Sequence, residues 1–141
     1  MTKSHGVLGL TLALCLGCDV SERRDAAMVL AAIGRFRGAS LADTPAAVET
    51  LAHVRCAYPD SCSARDACVT SGRLTSKAIV LKSDVEHALS DLEQGRLSKD
   101  SPKAQALPKM LDDAEAQLQR GKEELSSCDE RTRALRRRHH L

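Results

Sequence analysis

Aromatic side chains are nearly missing from this chain: of 141 residues only Phe36 and Tyr58 carry a ring, and there is no tryptophan. Sites for sugars and single-stranded nucleic acids are built on stacked rings, so the composition excludes a stacking platform. Charge of one sign is missing as well. Lysine and arginine number 21 against 19 aspartate and glutamate, a formal net charge of +2. That is too balanced for a protein whose whole surface binds nucleic acid. No apolar run reaches the roughly 20 residues of a membrane-spanning helix; the stretch from Gly6 to Gly17 has about 12. Glycine-rich phosphate loops, paired-histidine metal motifs and strand-turn-helix nucleophile signatures are absent too. Asp84, His87 and Asp91 fall at helical spacing and could orient an imidazole, but no nucleophile accompanies them, and a solvated charged face accounts for them. The expectation is a non-enzyme with no cofactor, no metal site and no small-molecule substrate.

What is present begins at the N-terminus. Lys3 gives a short positive start, Gly6 to Leu14 an apolar run, and Cys15-Leu16-Gly17-Cys18 a close of small residues around a cysteine. That is the build of a secretory signal. Its end resembles the lipobox of bacterial lipoproteins: Gly17 occupies the small position before the cysteine, while Cys15 stands where the family has leucine. The resemblance implies cleavage after Gly17, a lipid on Cys18, and a place in the bacterial cell envelope facing the periplasm. Asp19 is similar to the inner-membrane retention signal of enteric bacteria, a rule that does not extend to every lineage, so inner and outer membrane both stay open. Cys15-Leu16-Gly17 is also a small-x-small cleavage pattern, which leaves a soluble exported protein as the alternative. A 17-residue signal taken from 141 residues leaves 124, enough for a single domain over 18–141 and too few for two. Losing Lys3 leaves 20 basic against 19 acidic side chains.

Beyond Cys15 and Cys18 the cysteines are Cys56, Cys62, Cys68 and Cys128. An even number in an oxidising compartment reads as two disulfides. The spacing fits no common zinc pattern, although His53 three residues before Cys56 would allow a metal site in a reducing compartment.

The remainder reads as helices. Ser21 caps a first helix over about 21–37, with Ala26, Val29, Leu30, Ile33 and Phe36 at steps of three and four and Gly38 at its stop. Thr44-Pro45 opens a second over about 44–57 through Val48, Leu51 and Val54, broken by Tyr58-Pro59-Asp60-Ser61. Ser63 to Asp66 gives a capping-box-like start to a third, about 64–94, whose seam is Ser71, Leu74, Ala78, Leu81, Val85, Ala88 and Leu92, with Gly95 as its stop. The fourth carries the seam Leu107, Leu111, Ala114, Leu118, Gly121, Leu125, Cys128, Thr132 and Leu135. Because proline disrupts a helix interior, Pro108 places its start at about 108, with 102–107 as a separate turn and its end near 136. The expected fold is all-α: a small up-and-down bundle built around a long antiparallel coiled-coil hairpin, disulfide-stapled.

Aligning Leu92 with Leu107 sets Cys128 across from Ser71, with Cys68 one turn away. This register favours Cys68–Cys128 with Cys56–Cys62 over the rival pairing Cys56–Cys68 with Cys62–Cys128. Up-and-down topology brings both termini to one end. The tail residues Arg131, Arg133, Arg136, Arg137 and Arg138 then lie near the tether, where they would meet lipid headgroups or an acidic partner. The plainer reading is that they complement the helix C-terminus. The functional expectation is a membrane-tethered structural or adaptor lipoprotein that meets another envelope protein and no nucleic acid. Two alternatives stand beside it: a periplasmic carrier or chaperone for an apolar client segment, and an intracellular coiled-coil protein with a signal-like N-terminus.

Overall fold

Three prolines mark helix starts. The helices run α1 (Cys15–Arg37), α2 (Thr44–Ala52), α3 (Pro59–Glu93) and α4 (Pro102–His139). Pro45, Pro59 and Pro102 sit in the first turns of α2, α3 and α4, where a missing N–H costs nothing and the fixed φ is already helical. This computed structural model describes residues 15–141. Residues 1–14 of the expected signal, and the side chains of Cys15 to Cys18 including the lipidation candidate Cys18, lie outside the described residues.

Several expected boundaries move. From the first described residue, Cys15, the chain is already helical, ahead of the start expected near 21, because no proline or turn interrupts Cys15 to Val20. Conversely, α2 stops at Ala52 rather than 57. Its end is tied by the His53 N–H to the Glu49 carbonyl, and the following strand of chain is held elsewhere. The Ala57 N–H donates to Asp25 Oδ1 at 3.0 Å, and Arg65 Nη1 donates to the Val54 carbonyl at 2.7 Å. Pro59 both breaks the chain after α2 and opens α3, four residues before Ser63. It forces Tyr58 into extended backbone, and Asp60 follows in the first turn, where negative charge is favoured.

The larger correction is at Pro108, which lies inside α4 instead of starting it. Ser101 caps the helix, its Oγ accepting from the Ala104 N–H at 3.2 Å. Leu107 is buried against Val85 and Ala88, and Met110 packs on the same cluster, so the helix is anchored on both sides of the proline. Pro108 itself faces solvent, where water can take the carbonyl it leaves unpaired. At the hairpin tip α3 ends as expected. Gly95 adopts φ +68°, and a Schellman pair runs from the Arg96 N–H to the Asp91 carbonyl and from the Gly95 N–H to the Leu92 carbonyl.

The chain runs up, down, up, down, and α3 with α4 form a long antiparallel hairpin. At about 1.5 Å per residue these helices reach roughly 50 and 55 Å. Both α1 and the nine-residue α2 pack against the open end of the hairpin, where α3 begins and α4 finishes. The core divides accordingly. A larger cluster at this base holds Ala26, Val29, Leu30, Ile33, Leu51, Ala64, Cys68, Val69, Cys128 and Leu135, with Phe36 against it. A smaller one in the distal arm holds Val85, Ala88 and Leu107, with Leu92, Leu97 and Met110 around it.

Candidate interaction surfaces

At the base, covalent and polar bonds tie α4 to the rest. Cys68 and Cys128 face each other directly, Cα atoms 4.6 Å apart and sulfurs at bonding distance. Cys56 and Cys62 close the connection ahead of α3 in the same way, Cα atoms 5.3 Å apart. This is the pairing that the expected register favoured over its rival. The register differs from expectation by about a turn: Cys128 lies opposite Cys68 rather than Ser71, and Gly121 lies against Thr75, with the Ser71 Oγ one turn away donating to the Gly121 carbonyl at 2.8 Å. The cause is residue size. A Cβ on Gly121 would stand 2.8 Å from Thr75 Oγ1, so the two helices approach most closely where one carries no side chain. Gly72 plays the same part for the other helices; its Cβ would stand 2.0 Å from Val48 Cγ2 and 2.9 Å from the Phe36 ring.

The early part of α1 and the last turn of α4 meet at the far end of this base. Glu22 of α1 lies 3.6 Å from Arg138 Nη2 and 3.8 Å from His139 Nε2, and Arg138 also pairs with Asp60 at the start of α3. His139 is buried, as are Asp25 and Ser61 from the neighbouring elements. Three of the five expected tail arginines are engaged within the fold. Arg131 donates to Ser63 and Ser127, Arg133 lies 3.7 Å from Asp129, and Arg138 is held as above. Arg136 and Arg137 are exposed and have no ion-pair partner among the described residues. Two arginines that the sequence did not single out join them. Arg23 and Arg24 follow directly on Glu22, at the level of the last turn of α4, and are likewise exposed and unpaired among the described residues. Their one signal in the sequence was position, five and six residues after Cys18.

A second surface runs along the hairpin. The column Leu107, Ala114, Gly121, Cys128, Leu135 takes the centre of the seam and is buried. The alternate column, Leu111, Leu118 and Leu125, stays 45%, 41% and 41% exposed, although its fourth member Thr132 is buried at 2%. The sequence pattern set both columns alike in the seam. The small residues Ala114 and Gly121 draw the helices together on their own side and leave the leucines at the rim. Thr132 differs because α1 lies over that level; Arg37 bonds to Asp129 and donates to Cys128 Sγ at 3.2 Å. Where α1 ends the same groove continues, and its first part is an open cavity of about 310 Å³ between Phe36, Arg37, Gly72, Thr75, Leu118 and Leu125.

The remaining candidates disperse. Asp91 is taken by Arg96 at 2.6 Å while Asp84 and His87 face solvent, so the three do not form a working set. His53 turns its Nδ1 to the Glu49 carbonyl at 2.6 Å, and Cys56 has no free thiol to offer a metal beside it. Among surface charges, a forked bond from Arg73 holds the Glu49 carboxyl below its ordinary range and fastens α2 to α3. Among the described residues no helix is long and apolar enough to cross a membrane. No protein-family model, curated protein or solved structure matched this chain.

Proposed function

We propose that this chain is a lipid-anchored adaptor of the bacterial cell envelope, held at Cys18, whose helical hairpin receives an amphipathic helix of a partner protein. The observation that carries the docking reading is the groove that holds α1 at the base and opens beyond it into a cavity lined by Leu125 and Leu118, with Leu111 exposed further along the same column. These leucines span about 21 Å, four turns of a helix stacked end to end above α1. Completing their burial is worth roughly 1 kcal/mol each, enough for a specific but reversible contact. The envelope location rests on the lipobox-like Cys15-Leu16-Gly17-Cys18 and is supported by two cysteine pairs at bonding distance, which suit an oxidising compartment. A carrier that wraps a client would use a broad apolar cavity; a single leucine column suits one helix, which favours the adaptor.

Two measurements test this. Intact mass of the membrane-extracted protein, unreduced, should show a chain beginning at Cys18, heavier by a diacylglyceryl group and lighter by four protons. A full-length, unmodified, reduced chain would refute the envelope reading. A photo-crosslinker at position 118 should give one dominant adduct in native envelopes, lost with Leu111→Ser/Leu125→Ser and unchanged with Val80→Ser. Equal labelling from position 80 would refute the groove.

A further inference from the structure

We infer that the end of the base where α1 begins and α4 finishes is a docking face for an anionic lipid surface, formed by Arg23 and Arg24 of α1 with Arg136 and Arg137 of α4. The fold brings together two basic pairs more than a hundred residues apart in sequence, since Glu22 touches both Arg138 and His139. It also sorts the arginines. Arg131, Arg133 and Arg138 are occupied by Ser63, Asp129, Glu22 and Asp60, whereas the four named here have no ion-pair partner among the described residues. Against these four cations stand the carboxylates of Asp19, exposed, and Asp25, buried in the wall of the adjoining cavity, leaving the face with a surplus of positive charge.

Apolar groups lie beside the cations. Val20 is 68% exposed, Met28 and Leu141 each 45%. Val20, Arg24, Met28, Ala57 and Tyr58 border an open cavity of about 670 Å³ at this end. Cations at headgroup level beside apolar side chains that can enter the acyl boundary make the combination a bilayer surface accepts, and a soluble polyanion uses only half of it. The face is also the one next to Cys18, so a lipid there would hold it against the bilayer. This orientation alone rests on the anchor reading; the binding chemistry stands without it.

The test uses the full chain carrying Cys18→Ser, so that no acyl group attaches and the result is independent of whether the protein is a lipoprotein. Partitioning is measured on phosphatidylcholine vesicles with and without phosphatidylglycerol. The protein should prefer the anionic vesicles, and the preference should fall steeply with added salt. Each arginine near such a surface is worth about fivefold in binding at low salt, so Arg23→Gln/Arg24→Gln and Arg136→Gln/Arg137→Gln should each reduce the preference about 25-fold. Arg131→Gln/Arg133→Gln should change it less than about threefold. Circular dichroism on every variant should stay helical, since all these side chains are at the surface. An equal loss from the 131/133 pair, no preference for phosphatidylglycerol, or displacement from vesicles by a short DNA duplex at physiological salt would each overturn the inference.

Discussion

The base and the arm of this molecule use the same two helices in different ways. At the base α3 and α4 are covered by α1 and α2, bridged by Cys68–Cys128, and packed around Val29, Ile33, Leu51 and Val69. Some four to six turns further along, the same helices hold one another through Val85, Ala88 and Leu107. Large side chains are spent on the base, and alanine, serine and glycine dominate the seam above it. Small residues let two helices approach closely, but they bury little area and leave the flanking leucines half in water. The base therefore supplies the stability, and the arm supplies the surface.

The largest effect should come from the base clamp. Cys68→Ser/Cys128→Ser opens a loop of 60 residues and should cost about 4 kcal/mol in urea unfolding, whereas Cys56→Ser/Cys62→Ser opens a loop of 6 and should cost about 2 kcal/mol. Core truncation should follow the same division. Leu51→Ala should lose about 3 kcal/mol of global stability, and Leu107→Ala about 2 kcal/mol, expressed chiefly as fraying of the arm in amide exchange.

Glycine substitutions separate the two interfaces further. Gly72→Ala drives a methyl into Val48, a stiff side chain on a short helix, and should cost about 2 kcal/mol by thermal melting. Gly121→Ala meets first the Thr75 hydroxyl, which can turn aside, and should cost about 1 kcal/mol. The smallest effect belongs to the exposed Glu49–Arg73 pair. Its carboxyl titrates below the unfolded value, so the stabilisation is present at neutral pH and is lost as pH falls through the folded pKa. Glu49→Gln should be slightly less stable than the parent at pH 7 and indistinguishable from it once acid has protonated Glu49.

The helical class, the antiparallel hairpin and the preferred cysteine pairing were legible from the spacing of apolar residues and the position of Cys128. Helix limits were less so, because proline carries two meanings. Pro59 reads as a breaker of α2 and is equally the first turn of α3. Pro108 reads as a start, yet the Ser101 cap and a buried Leu107 carry α4 through it. The groove was illegible for a different reason. A repeat of three and four marks Leu111, Leu118 and Leu125 as seam residues just as it marks Ala114 and Gly121, and only the packing distance decides which column is buried. Nor does a linear chain reveal that Arg138 would be consumed by Glu22 and Asp60 while Arg23 and Arg24 were left beside Arg136 and Arg137.

Hydrogen exchange on the oxidised full chain, read peptide by peptide, distinguishes a stable base from a separately opening arm. Amides of Ser61–Gly72 and Cys128–Leu135 should exchange only through global unfolding, while those of Ala78–Leu92 and Leu107–Leu118 exchange about 100-fold faster through opening of the arm alone. Equal protection along the whole of α3 and α4 would show that the hairpin is a single cooperative unit, and would contradict the division on which the docking groove depends.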